Sequence, residues 1–226
     1  MQNEILIERT AAIVAGHALY VFIGVVCLGA KTGLTSTFGL RMHLTNWSWA
    51  LNTFFFGVAL MGYAFPLIDI FWAVLVLPAV WATTWTVALL SVVLLAVAPD
   101  ILTGAGVPMG LALVMDRTLH VLPIIALILY VFARHRSIAH AFQLVAERIG
   151  VFDRKAWRLS PWYVAFFLCV QCAGIPLIYV LAVDVNAAYG VDYPRWASGA
   201  VVVGIALVMG VALLRYVIFV PQKQTE

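Results

Sequence analysis

The chain carries a series of apolar runs of about 20 residues or more, and their length limits how it can fold more than any other feature. An α-helix rises about 1.5 Å per residue, so a run of that length crosses the roughly 30 Å hydrocarbon core of a bilayer. The runs do not alternate apolar and polar residues, which argues against the strands of a membrane barrel. In lipid every backbone N–H and C=O needs an internal partner, so these runs predict helices. Composition agrees: 65% of residues are hydrophobic and 10% charged. A soluble domain averages about 45–50% apolar and about 25% charged.

The runs fall at about 10–29, 46–64, 70–98, 108–132, 162–183 and 196–220. They predict an all-α polytopic transmembrane bundle of six spans, as one domain over residues 1–226. The apolar stretch from Asn46 to Pro99 is too long for one span, and Gly62, Pro66 and Asp69 mark its break. Asp69 is expected to cap span 3, and Pro78 to kink it. The start, MQNEILIERT, lacks a basic leader, so the first run reads as a retained span rather than a signal peptide. Within the basic segment 134–160, Ser137–Val151 spaces apolar residues at helical intervals and predicts a short interfacial helix.

Charge sets the orientation. Arg134, Arg136, Arg148, Arg154, Lys155 and Arg158 crowd the connection between spans 4 and 5. With six spans, Arg9, Arg215 and Lys223 share its side, whereas the other side has Lys31, Arg41 and Arg195. The excess of Lys and Arg on cytoplasmic loops places both termini in the cytoplasm. Trp47, Trp162 and Trp196, near span ends, suit interfacial anchors. Cys27, Cys169 and Cys172 lie in apolar runs and read as small structural hydrophobes. Nucleic-acid motifs, a P-loop, GxGxxG and HExxH are absent, and the sequence calls for neither a metal nor a cofactor. The partners it implies are the lipid bilayer and molecules dissolved in it; oligomeric state is not legible.

An ionisable side chain in hydrocarbon costs at least about 2.5–3.5 kcal/mol on insertion scales, so each needs a reason. Span 4 holds Asp116, Arg117 and His120. Asp116 and His120, four apart, share a helical face, where a carboxylate can fix the imidazole tautomer. Arg117 points about 100° away, placed to neutralise Asp116 or to meet an acidic ligand group. The pair Asp116–Arg117 fits a packing knot as well as it fits chemistry; packing gives span 4 no need of a titratable His120. Span 2 opens with Thr45, Asn46, Ser48, Asn52 and Thr53. Thr45 or Asn46 fits a helix cap, and Asn52 an interhelical hydrogen bond. A hydroxyl at a helix start near a histidine of another span also fits a nucleophile, which singles out Thr45. His17 in span 1 reads as packing, His43, His135 and His140 as surface, and Thr83, Thr84 and Thr86 as bonding back to carbonyls one turn earlier.

Three stretches are similar to the androgen-induced family, small polytopic membrane hydrolases that cleave fatty-acid esters of hydroxy fatty acids. They are LTNWSWALNTFFFGV at Leu44–Val58, DIFWAVLVLP at Asp69–Pro78 and LHVLP at Leu119–Pro123, with a fainter echo in DYP at Asp192–Pro194. The resemblance implies a threonine nucleophile at Thr45 and a histidine base at His120, with a lipid ester entering from the leaflet. Asp116 would orient His120, and Asn46, Asn52 and Arg117 would contact the substrate. Three other classes compete: a small transporter or channel with a proton or ion path through Asp116, Arg117 and His120, a haem protein using His17 and His120, and a receptor or assembly subunit with no chemistry.

Overall fold

The computed structural model describes residues 14–23, 43–62, 64–97, 109–153, 158–189 and 194–218, of which 66, 95–97, 109–119, 189 and 217–218 as backbone alone. Helices α1 (Val14–Ile23), α2 (Leu44–Gly62), α3 (Pro66–Leu75), α4 (Leu77–Val97), α5 (Met109–Ala133) and α6 (His135–Arg148) come first. A two-residue antiparallel pair follows, β1 (Phe152–Asp153) with β2 (Arg158–Leu159). Then come α7 (Pro161–Phe166), a π-helical turn (Phe167–Cys172), α8 (Gly174–Ala182), α9 (Val185–Tyr189) and α10 (Arg195–Ile218). The fold is therefore mainly helical. Among the described residues two helices are long and apolar enough to cross a membrane unbroken, Leu77–Leu94 and Arg195–Tyr216. Counting two bent pairs as single spans raises that number to four.

An aromatic knot forms the middle of the core. Phe55 and Phe56 of α2 meet Tyr130 of α5 edge-on at centroid distances of 5.2 and 5.9 Å, and Tyr20 of α1 meets Phe56 at 4.6 Å. Phe55, Phe56 and Tyr130 are fully buried. By contrast Phe65, Leu67, Phe71, Phe132, Leu181 and Trp196 are exposed. Large apolar side chains turned outward on several helices are what a lipid solvent tolerates and water does not.

The predicted third span is two helices. Regular helix is interrupted at Val76, whose backbone stays in the right-handed helical region, two residues before Pro78, and helix begins earlier than expected, at Pro66. Proline has no N–H to offer the carbonyl four residues back and its ring crowds that carbonyl, so the ladder breaks ahead of it. The carbonyl concerned is Val74, and it is met from another helix: Gln171 Nε2 donates to it at 3.2 Å. Gln171 stands in the π-helical turn, a local widening that releases backbone groups and re-aims side chains.

Asp69 does not cap a helix. It lies in the first turn of α3, behind an N-cap Phe65 without a side-chain bond, and forms a two-pronged ion pair with Arg134. Arg134, one of the basic residues expected between spans 4 and 5, marks the junction of α5 and α6. Its guanidinium also donates to the Tyr130 hydroxyl at 3.1 Å. Both charged side chains are only 17% exposed, which demands this pairing. The helix expected at Ser137–Val151 runs over His135–Arg148 and leaves α5 at 74°. Its apolar face, Ile138, Ala139, Ala141, Phe142 and Ala146, is buried. His135 rests against Tyr216 of α10 in an exposed contact, with ring centroids 4.7 Å apart. At the start of α9, Asp184 pairs with Arg195 of α10. The N–H of Ala187, and then the Arg195 guanidinium, hold its carboxyl below the usual carboxylate range.

Candidate functional site

Helix α2 begins at Leu44, so Thr45 and Asn46 fall inside its first turn rather than ahead of it as caps. Thr45 is 7% exposed. Its Oγ1 lies 3.1 Å from Nε2 of His120, half-buried on α5 and 75 residues away in sequence. Pro123 sits inside α5 three residues after His120. It withdraws the N–H that would bond the Leu119 carbonyl, so the helix beside His120 has lost one rung of its ladder. A hydroxyl against an imidazole nitrogen, enclosed by helices, is the arrangement in which a base activates an oxygen nucleophile.

Asp116 lies one turn before His120 on α5 and Arg117 one residue later; both side chains are outside the described residues. Asn46 follows Thr45 on α2 and is 7% exposed. Asn52 is not brought to the pair. Seven residues of helix place it about 10 Å farther along the axis. Its amide hydrogens are also taken: Asn52 Nδ2 donates to the Ser48 carbonyl at 2.8 Å and to Thr84 Oγ1 at 2.7 Å. It is therefore a tie between α2 and α4, and of the two asparagines expected to contact a substrate only Asn46 adjoins Thr45.

The threonine cluster of α4 divides. Thr86 Oγ1 bonds back to the Ala82 carbonyl at 2.8 Å, as expected. Thr84 turns instead to α2, where it accepts from Asn52 and, at 3.4 Å, from Ser48 Oγ. Sequence reasoning missed Ser48 and Thr84 as partners. Their signal was present: Thr45, Ser48 and Asn52, three and four apart, lie on one helical stripe. His17 of α1 packs against Phe56 and Tyr130, at centroid distances of 5.1 and 5.4 Å. Among the described residues no group of three or more His, Cys, Asp or Glu is placed to hold a metal. Cys172 is buried against Gly210 of α10, and Cys169 is exposed; Cys27 is outside the described residues.

No family model, curated protein or solved structure matches this chain.

Proposed function

We propose that this protein is a multi-pass membrane hydrolase that cleaves lipid esters with Thr45 as nucleophile and His120 as base. The observation that carries the reading is the 3.1 Å contact between Thr45 Oγ1 and His120 Nε2. Thr45 donates its hydroxyl hydrogen to Nε2 and attacks the ester carbonyl as His120 takes the proton. The alcohol leaves with that proton, and water then resolves the acyl-threonine. Asp116, one turn away, orients the imidazole; Asn46 donates to the oxyanion. Arg117 meets an acidic group of the substrate. Resemblance to the androgen-induced family points to the same two residues and to a fatty-acid ester as substrate.

The bundle has six spans with both termini cytoplasmic. Two ion pairs support that topology: Asp69 with Arg134 joins connections assigned to the cytoplasmic side, and Asp184 with Arg195 joins groups assigned to the other. Thr45 then lies near the non-cytoplasmic surface and His120 deeper, at a level acyl chains reach from the leaflet.

Labelling of the detergent-purified protein with a fluorophosphonate or lipid-ester probe tests the chemistry. Wild type and Thr45→Ser are expected to label; Thr45→Ala and His120→Ala are expected not to. No labelling of wild type, or labelling unchanged by both alanine substitutions, overturns the threonine mechanism and favours a transport path through Asp116, Arg117 and His120.

A further inference from the structure

The polar stripe of α2 continues beyond Thr45 into the bundle, and its hydrogen bonds do not close. Ser48, Asn52 and Thr84 are 1%, 0% and 2% exposed. The Asn52 amide orientation is fixed, because its Nδ2 faces the Ser48 carbonyl, which can only accept. The other arm, Asn52 Oδ1, is buried without a hydrogen-bond partner among the described residues. Thr84 Oγ1 accepts from both Asn52 and Ser48, which leaves its own hydrogen to donate. The cluster thus presents one buried acceptor and one buried donor, the complement of a water molecule. A buried amide oxygen left unpaired costs about 1–3 kcal/mol, and ordered water is the usual partner of such groups.

We propose that Asn52 and Thr84, backed by Ser48, hold an ordered water one to two helical turns from Thr45, and that this water supplies deacylation. The inference rests on the hydrolase reading. Deacylation needs water at the acyl-enzyme, and a water stored within the bundle reaches it without being drawn in past the acyl chains of the substrate. Released from the cluster and moved along the stripe to Thr45, the water adds to the carbonyl carbon of acyl-Thr45 as His120 Nε2 takes its proton. The bond from that carbon to Thr45 Oγ1 then breaks, Oγ1 receives the proton, and the carboxylic acid leaves. Asn52 and Thr84 touch the stored water and not the ester, so they are positioning residues.

The test is burst kinetics on the full-length protein with a 4-nitrophenyl fatty-acid ester, and intact-protein mass measured on the same samples. Thr84→Val removes one hydroxyl at constant volume; Asn52→Leu removes the amide. Both are expected to keep the nitrophenol burst, slow the steady-state rate about tenfold, the factor one net hydrogen bond is worth, and accumulate acylated protein. A steady-state rate unchanged in both variants, or a burst that falls in step with it, overturns the proposal, the second outcome marking a merely structural tie. Independently of any variant, an experimental density map of wild type is expected to show water within hydrogen-bond distance of Asn52 Oδ1 and Thr84 Oγ1; a dry cluster overturns the site even where the burst is present. Absence of a burst in wild type overturns the hydrolase reading itself, and with it the water's role.

Discussion

Gly62 ends α2 where the first turn of α3 folds back on it. A Cβ at this position would stand 2.9 Å from Asp69 Cβ and 3.3 Å from its Cα. Backbone cannot yield as a flexible chain tip does, so Gly62→Ala must push α3 away and disturb the ion pair with Arg134. A loss of about 1–3 kcal/mol is expected, as for other overpacked sites, measured by thermal unfolding in detergent against wild type. Arg134→Ala strands the Asp69 carboxylate and is expected to cost about 3 kcal/mol in the same assay. Exchanging both partners for apolar residues, Asp69→Leu with Arg134→Met, is expected to recover most of that loss, since the penalty comes from the unpaired charge. The sequence showed that Asp69 punctuates an apolar stretch, and Arg134 stood out as the first residue of a basic segment. Their pairing, 65 residues apart, depends on helix packing that no local pattern encodes.

Between elements, the informative junction joins the break before Pro78 to the π-helical turn around Gln171. Pro78 was legible as a disturbance of its span. That the orphaned Val74 carbonyl would be met by Gln171, 97 residues on, was not. Gln171→Leu is expected to destabilise the protein by about 1–2 kcal/mol, the cost of a buried carbonyl without a partner. Pro78→Ala restores an N–H that can reach Val74, so Gln171→Leu is expected to cost less in that background. A double-mutant cycle in thermal unfolding checks this; strictly additive effects would detach the side chain from the proline. The Thr45–His120 contact belongs to the same scale. Each residue was legible alone, one as a hydroxyl at a helix start, the other as a titratable group in an apolar run. Only the packing of α2 against α5 sets them 3.1 Å apart.

For the whole molecule, the proposed six-span topology puts Ser137 on α6 and Ala187 on α9, both exposed, on opposite faces of the membrane. In a background with Cys27, Cys169 and Cys172 replaced, Ser137→Cys is expected to react with a membrane-impermeant maleimide from the cytoplasmic side only. Ala187→Cys is expected to react from the other side only. Reaction of both from one side would remove the six-span arrangement.

The sequence by itself determined the class of element and pointed to lipid as the solvent. Runs of about 20 apolar residues leave the backbone no option in lipid but helix, and that constraint acts locally along the chain. It also marked the polar residues whose burial needs an explanation, Thr45, Asn52 and His120 among them. Tertiary structure alone decided which of these meet. A hydrogen bond or ion pair reaches about 3 Å, whereas the partners lie 32 to 97 residues apart, and helix rotation and bend set that distance. For that reason Asn52 was legible as an interhelical tie but not as the partner of Thr84, and Arg134 as one charge of a basic segment but not as the part-buried counterpart of Asp69.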